Sequence, residues 1–167
     1  MKKIYLIITV IFISSYSCKA QKNKLTRTEY YNIKINDVTF QSLYDTNGNE
    51  ARMKALFGSD LEFEANTTGP SLGRDFWNSS IYLNFEDDSD TGSYYVPTLI
   101  NIKNSSVTVT VKGITVKLGD DKNVFGSLFV LKSINSIIFV DDTGTSSLAF
   151  KIDRSTNKIS KIEFNAF

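Results

Sequence analysis

The chain has no histidine and a single cysteine, Cys18, in 167 residues. Lacking histidine, it has neither Ser-His-Asp nor Cys-His catalysis, no haem held through imidazole, and none of the common mixed zinc sites. A lone cysteine also rules out iron–sulfur clusters and internal disulfides, so an exported domain of this composition is held by packing alone. There is no apolar run of bilayer length: the longest, Ile4 to Ile13, has ten residues, and a spanning helix needs about 20. There is no excess of one charge either. The 19 basic residues meet 18 acidic ones, so the basic footprint that nucleic-acid binding requires is missing. No cofactor or metal is expected.

What is present begins at the N-terminus. Lys2 and Lys3 precede the apolar run, Ser14-Ser15-Tyr16-Ser17 follow it, and then comes Cys18. This order is that of a bacterial lipoprotein signal over residues 1–17, with Cys18 as the lipid-bearing first residue of the mature chain. Such a protein is exported and lipid-anchored in the cell envelope, with the outer membrane the expected address. Ser15 and Tyr16 depart from the Leu and small residue usual at their positions. The alternative is ordinary cleavage before Gln21, which would release a soluble periplasmic or secreted protein. Lys19, Lys22, Lys24 and Arg27 then read as a polar tether over 18–28, poorly ordered up to about Thr28.

The rest of the chain is patterned for β-structure, and the pattern occurs twice. Tyr31–Asn66 can be laid on Val107–Asp142 at a constant offset without a gap. Ile33, Ile35, Val38 and Phe40 then fall on Val109, Val111, Ile114 and Val116, and Leu61 and Phe63 on Ile137 and Phe139. Further on, Ile81–Phe85 matches Leu148–Ile152, and Ile100 and Ile102 match Ile162 and Phe164. In each copy two alternating strands flank a two-residue turn, Asn36-Asp37 or Lys112-Gly113. A helix follows. Asn47 with Glu50 suggests its capping box in the first copy, before the stripe Ala51, Met53, Leu56, Phe57. Asp120 or Asp121 would cap the second, before Val124, Phe125, Leu128, Phe129 and Leu131. Three strands close each copy. The fold class expected is α+β: two tandem β-β-α-β-β-β units over 29–104 and 105–167, one antiparallel sheet, and one short helix per unit packed on it.

The entry from strand to helix through Leu118-Gly119-Asp120, together with the order of elements, resembles the β-lactamase-inhibitor-protein fold. Single units of similar shape occur in small outer-membrane-assembly lipoproteins. The disulfides of the inhibitor family are missing here. The resemblance implies a protein partner rather than catalysis.

The first copy carries a segment that the second lacks in this alignment, Pro70-Ser71-Leu72-Gly73-Arg74-Asp75-Phe76-Trp77, with the only Trp. Tyr94-Tyr95 follows a polar loop. Arg74, Phe76, Trp77, Tyr94 and Tyr95 are therefore the candidate partner-binding residues, since Trp, Tyr and Arg combine apolar area with a polar handle. The alternative is that Phe76 and Trp77 turn inward and plug the core.

Other motifs have plainer readings. Asp45-Asn47-Asn49 has alternating oxygen ligands, but a calcium loop needs Gly where Glu50 stands and Glu where Leu56 stands. Glu86-Asp87-Asp88-Ser89-Asp90 reads as a solvated turn. Ser155-x-x-Lys158 falls in a hairpin turn without the companion motifs of a serine acyl-enzyme. Glu62 and Glu64 share one face of a strand, where exposure is the ordinary state. The sequons at Asn66, Asn78 and Asn104 carry no weight beside a bacterial signal.

The sequence thus points to a non-enzymatic envelope lipoprotein acting as a protein-interaction or inhibitor module. The alternative is a binding module holding a small apolar or glycan ligand between the two units, lined by Tyr82, Trp77 and Tyr95.

Overall fold

A computed structural model describes residues 23–67, 72–89, 91–128, 130–131 and 135–166. Cys18 and the apolar run before it lie outside the described residues. Among those described, no helix is long and apolar enough to cross a membrane.

The fold is mixed α+β, with two antiparallel sheets and short helices. Order begins earlier than the composition suggests. Leu25 is buried and its N–H donates to Val140 O at 2.8 Å, while Val140 N–H donates to Asn23 O. Helix α1 (Arg27–Tyr31) follows at once. Thr26 caps it in a full capping box with Glu29: the Thr26 hydroxyl accepts from Glu29 N, and the Glu29 carboxylate accepts from Thr26 N. Leu25 and Tyr30, the positions of a hydrophobic staple, are both in the core. The residues from Asn23 on that were assigned to the tether therefore belong to the fold.

Strands β1 (Lys34–Ile35) and β2 (Val38–Thr39) form the expected hairpin. Phe40, expected to extend β2, instead opens helix α2 (Phe40–Thr46), with Thr39 as its N-cap. Phe40 and Leu43 are fully buried on one face of α2. Asn47 takes a left-handed conformation (φ 52°) and ends α2, so it is not the cap of the next helix. That cap is Asn49, whose side chain accepts from Arg52 N at the start of α3 (Glu50–Phe57).

The strands that follow are β3 (Glu62–Asn66), β4 (Gly73–Trp77), β5 (Ile81–Asp87) and β6 (Tyr95–Ile102). The second half opens with hairpin β7 (Thr108–Val111) and β8 (Ile114–Lys117). Lys112 and Gly113 both have positive φ (51° and 76°), as a type I′ turn requires. The helix expected there is a single 3-10 turn, Lys122–Phe125, capped by Asp121. Gly126 ends it at φ 59° and ψ −122°, a conformation in which no helix continues. Leu131, assigned to the helical stripe, lies in strand β9 (Val130–Leu131). Strands β10 (Ser136–Val140), β11 (Ser146–Ile152) and β12 (Ile159–Ala166) complete the chain.

The two hairpins join into a four-stranded sheet, β2-β1-β7-β8, and the remaining strands into an eight-stranded one, β3-β4-β5-β6-β12-β11-β10-β9. Each half thus contributes two hairpin strands and four strands to the large sheet, one more than the expected unit. The segment read as an insertion contains β4, which holds the place in its half that β10 holds in the other. The halves are not identical: two helices stand in one where a 3-10 turn stands in the other. Their seam is nonetheless regular. Asn101 pairs with its counterpart Glu163, and the flanking residues pair reciprocally about them, Ile102 with Ile162 and Ile100 with Phe164. In the small sheet, Lys34 pairs with its counterpart Thr110, and Ile35 with Val109 beside them.

The small sheet lies over this seam. Ile35, Phe40 and Val109 meet Ile100, Ile162 and Phe164, and the Phe40 and Phe164 rings are 5.0 Å apart, edge to face. The space between the halves is a filled core. Among the described residues, the space left where the small sheet meets the seam is about 10 Å³.

Candidate functional site

In each strand of the large sheet, alternate residues face the core and the other set faces away. The core cluster takes only the first set: Phe76, Leu83, Phe85, Ile100, Ile162, Phe150, Phe139 and their inward neighbours. Helices and small sheet cover that side. The register then arranges the outward residues in two transverse rows that cross seven strands. One runs Glu62, Trp77, Tyr82, Asn101, Glu163, Ala149, Ile138. The other runs Glu64, Asp75, Asn84, Leu99, Asn165, Ser147, Val140. Neither row contains a lysine or arginine.

This open face is a built surface. Trp77 and Tyr82 are directly paired neighbours on β4 and β5, both half-buried. Tyr82 Oη donates to Asp75 Oδ1 at 2.7 Å, and Asn84 Nδ2 donates to the same oxygen at 2.8 Å. Burial, followed by the bond to the Asp75 carboxylate, pushes the Tyr82 phenol up to about 12, so it stays a neutral donor. Thr98 Oγ1 donates to Asn84 Oδ1 at 2.6 Å and fixes the amide in turn. At the centre, Asn101 Oδ1 is buried and accepts no hydrogen bond from the described residues. Beside it, Glu163 pairs with both Lys151 and Lys161. Burial raises the pKa of Glu163, and the bonds from the two lysines outweigh it, so the carboxyl titrates below its usual range. By contrast, Glu62, Glu64 and Asp75 make no ion pair among the described residues.

The five residues singled out in the sequence separate. Trp77 lies on the open face. Phe76 points the opposite way, is fully buried, and packs on Phe85 and Phe63; it is a core residue, not a contact residue. Arg74 also turns toward the covered side. Its Nη1 donates to Gly48 O at 2.9 Å and to Asn47 O at 3.3 Å, and its guanidinium lies 3.8 Å from the centre of the buried Tyr95 ring. Asn47 completes this clamp: Oδ1 accepts from Tyr95 N and Nδ2 donates to Ser93 O. Arg74 and Tyr95 therefore fasten the loop before β6 to the turn between α2 and α3. Tyr94 is 46% exposed, away from Trp77's row. Asp75 and Asn84 were not among the candidates, and Tyr82 was named only as lining for a ligand between the two units. Alternation along β5, with Tyr82 between Ile81 and Leu83, is the signal that could have found them.

The acidic clusters resolve into turns. Asp87 accepts from Ser89 Oγ, Ser89 N and Gly92 N and closes its loop; the Ser89 hydroxyl is foremost in lowering its carboxyl's pKa. No group of three or more metal-ligating side chains occurs among the described residues. Ser155 donates to Asp153 in the β11–β12 turn, as a turn residue would. A pocket of about 310 Å³ lies beside α1, lined by Arg27, Tyr30, Tyr31, Tyr44, Asp141 and Thr145 among others. Its polar groups are largely engaged: the Tyr30 and Tyr44 hydroxyls bond each other at 2.9 Å. Asp141 accepts from Gly144 N, Ser146 N and the Thr143 and Thr145 hydroxyls.

No protein-family model, no curated protein and no solved structure matches this chain.

Proposed function

We propose that this protein is an envelope lipoprotein, anchored through Cys18, that binds a protein partner on the open face of its eight-stranded sheet without catalysing a reaction. The observation that carries the reading is the Trp77–Tyr82 pair, held half-exposed among carboxylates on a face that no described element covers. Such a pair combines large contact area with polar tips. Glu62, Glu64 and Asp75, which make no ion pair among the described residues, favour a basic partner. In the same reading the scaffold is an unequal duplication, supported by the mirrored strand order and by the reciprocal pairing at the seam about Asn101–Glu163 and Lys34–Thr110.

Two measurements test it. Palmitate labelling of the wild type, lost in Cys18→Ala, supports the anchor; equal labelling of both removes it. Photo-crosslinking in cells from position 82 should trap one discrete partner, and from position 122, in the 3-10 turn, none. Trp77→Ala should weaken capture about tenfold or more, the usual scale of a Trp hot spot. Equal trapping from both positions, or capture indifferent to Trp77, would sink the proposed face.

A further inference from the structure

The large sheet has two edges, and they are finished differently. The β9 edge has only two residues, and beside it Asn23–Leu25 pairs with Val140. In the small sheet β2 is equally short, and the β8 edge is partly closed by Asp120, whose carboxylate takes the Lys117 N–H. Among the described residues, strand β3 is neither short nor covered at its edge. It runs five residues, pairs only with β4, and is exposed at every position but Phe63. An edge of this kind is a template for another strand.

We infer that β3 is a β-augmentation site for an extended, basic segment of a partner protein. The inference rests on the interaction reading above and specifies its ligand. Glu62 and Glu64 both lie on the open face at this edge, at the end of the two rows. A strand laid beside β3 would place two of its own alternate residues opposite them, and Lys or Arg there would meet two carboxylates that make no ion pair among the described residues. The residue between those two would fall on the inward side beside Phe63. That ring stacks on Phe76 at 5.0 Å but remains partly exposed, so an apolar residue would cover it. The ligand chemistry is therefore basic, apolar, basic, in extended conformation.

The other occupants fit less well. A second copy pairing antiparallel about Phe63 would set Glu62 against Glu64 in both directions, and like charges directly opposite are destabilising. The chain's own N-terminal residues leave the fold beside Val140, six strands away from β3.

The test uses the mature protein and the peptide Lys-Val-Lys-Val-Lys, with Glu-Val-Glu-Val-Glu as control. Amide hydrogen exchange should show protection of β3 amides by the basic peptide alone. Affinity should fall at least tenfold in the double variant Glu62→Gln/Glu64→Gln, whose melting temperature should match the wild type because both sites are exposed. Protection by both peptides alike, binding without protection of β3, or a β3-protected dimer in sedimentation without peptide would each overturn the inference. Binding that maps to Trp77 and Tyr82 but leaves β3 unprotected overturns the edge site while leaving the face intact.

Discussion

Arg74 and Trp77 are three residues apart on one strand and do different work. Arg74 ties two carbonyls at the end of α2 to the Tyr95 ring; Trp77 faces the other way. Arg74→Ala should therefore cost about 2 kcal/mol in urea unfolding, the scale of hydrogen bonds from a charged donor, and leave partner affinity unchanged in whatever fraction remains folded. Trp77→Ala should show the converse. The turn carboxylates act at the same scale. Asp153 accepts from the Ser155 hydroxyl and from the Thr156 and Ser155 N–H groups, which hold its pKa at about 2 rather than 3.8. A pKa lowered in the folded state contributes stability that is complete above the unfolded value and lost as pH falls through the folded one. Asp87, Asp141, Glu29 and Glu163 are shifted the same way. The melting temperature should thus hold steady from neutrality to about pH 5 and then fall toward pH 2. Asp153→Asn should lower the plateau and flatten the last part of that fall.

The elements show which signals the sequence carries in readable form. Strands with clean alternation, such as β5 and β11, were legible because a period of two has one meaning when one face is buried. Helix α1 was legible too, in Thr26-x-x-Glu29 with Leu25 before it, but it stood among basic residues that read as a tether. Thr26→Ala should cost about 1 kcal/mol and speed exchange of the Leu25 amide. The 3-10 turn was hidden for a different reason. Val124, Phe125 and Leu128 are spaced as on a helix, and only the backbone at Gly126 shows that the turn stops there. The count of strands failed at β4, since Gly73–Trp77 looked like a loop when measured against a partner copy that had itself been placed one strand out of step. The open face was half legible: alternation marks its residues strand by strand, but the rows they form depend on register between strands distant in sequence.

For the molecule as a whole, the seam decides cooperativity. Both sheets cross from one half to the other, at β1–β7 and at β6–β12, and Phe40, Ile100, Ile162 and Phe164 pack where they cross. The halves should not fold alone. Residues 29–104 expressed separately would expose the β6 edge and the apolar faces of β1 and β6, and should give the circular dichroism of an unfolded or aggregated chain. The whole protein should unfold in a single transition by every probe.

Asn23, the first described residue, is already bonded to the sheet, and Lys19 to Lys22 are all that separate it from Cys18. Five residue steps reach at most about 18 Å, while six inter-strand steps from β10 to β3 span about 29 Å. On the proposed anchoring the leash is shorter than the body it holds. The domain would then pivot on the bilayer like a flag on a short staff, with its β10 side inboard and the Glu62–Glu64 edge sweeping the outer rim. A partner lying flat on the same lipid surface would pass beneath that rim; one that rises some 30 Å, or arrives from the aqueous side, would meet it.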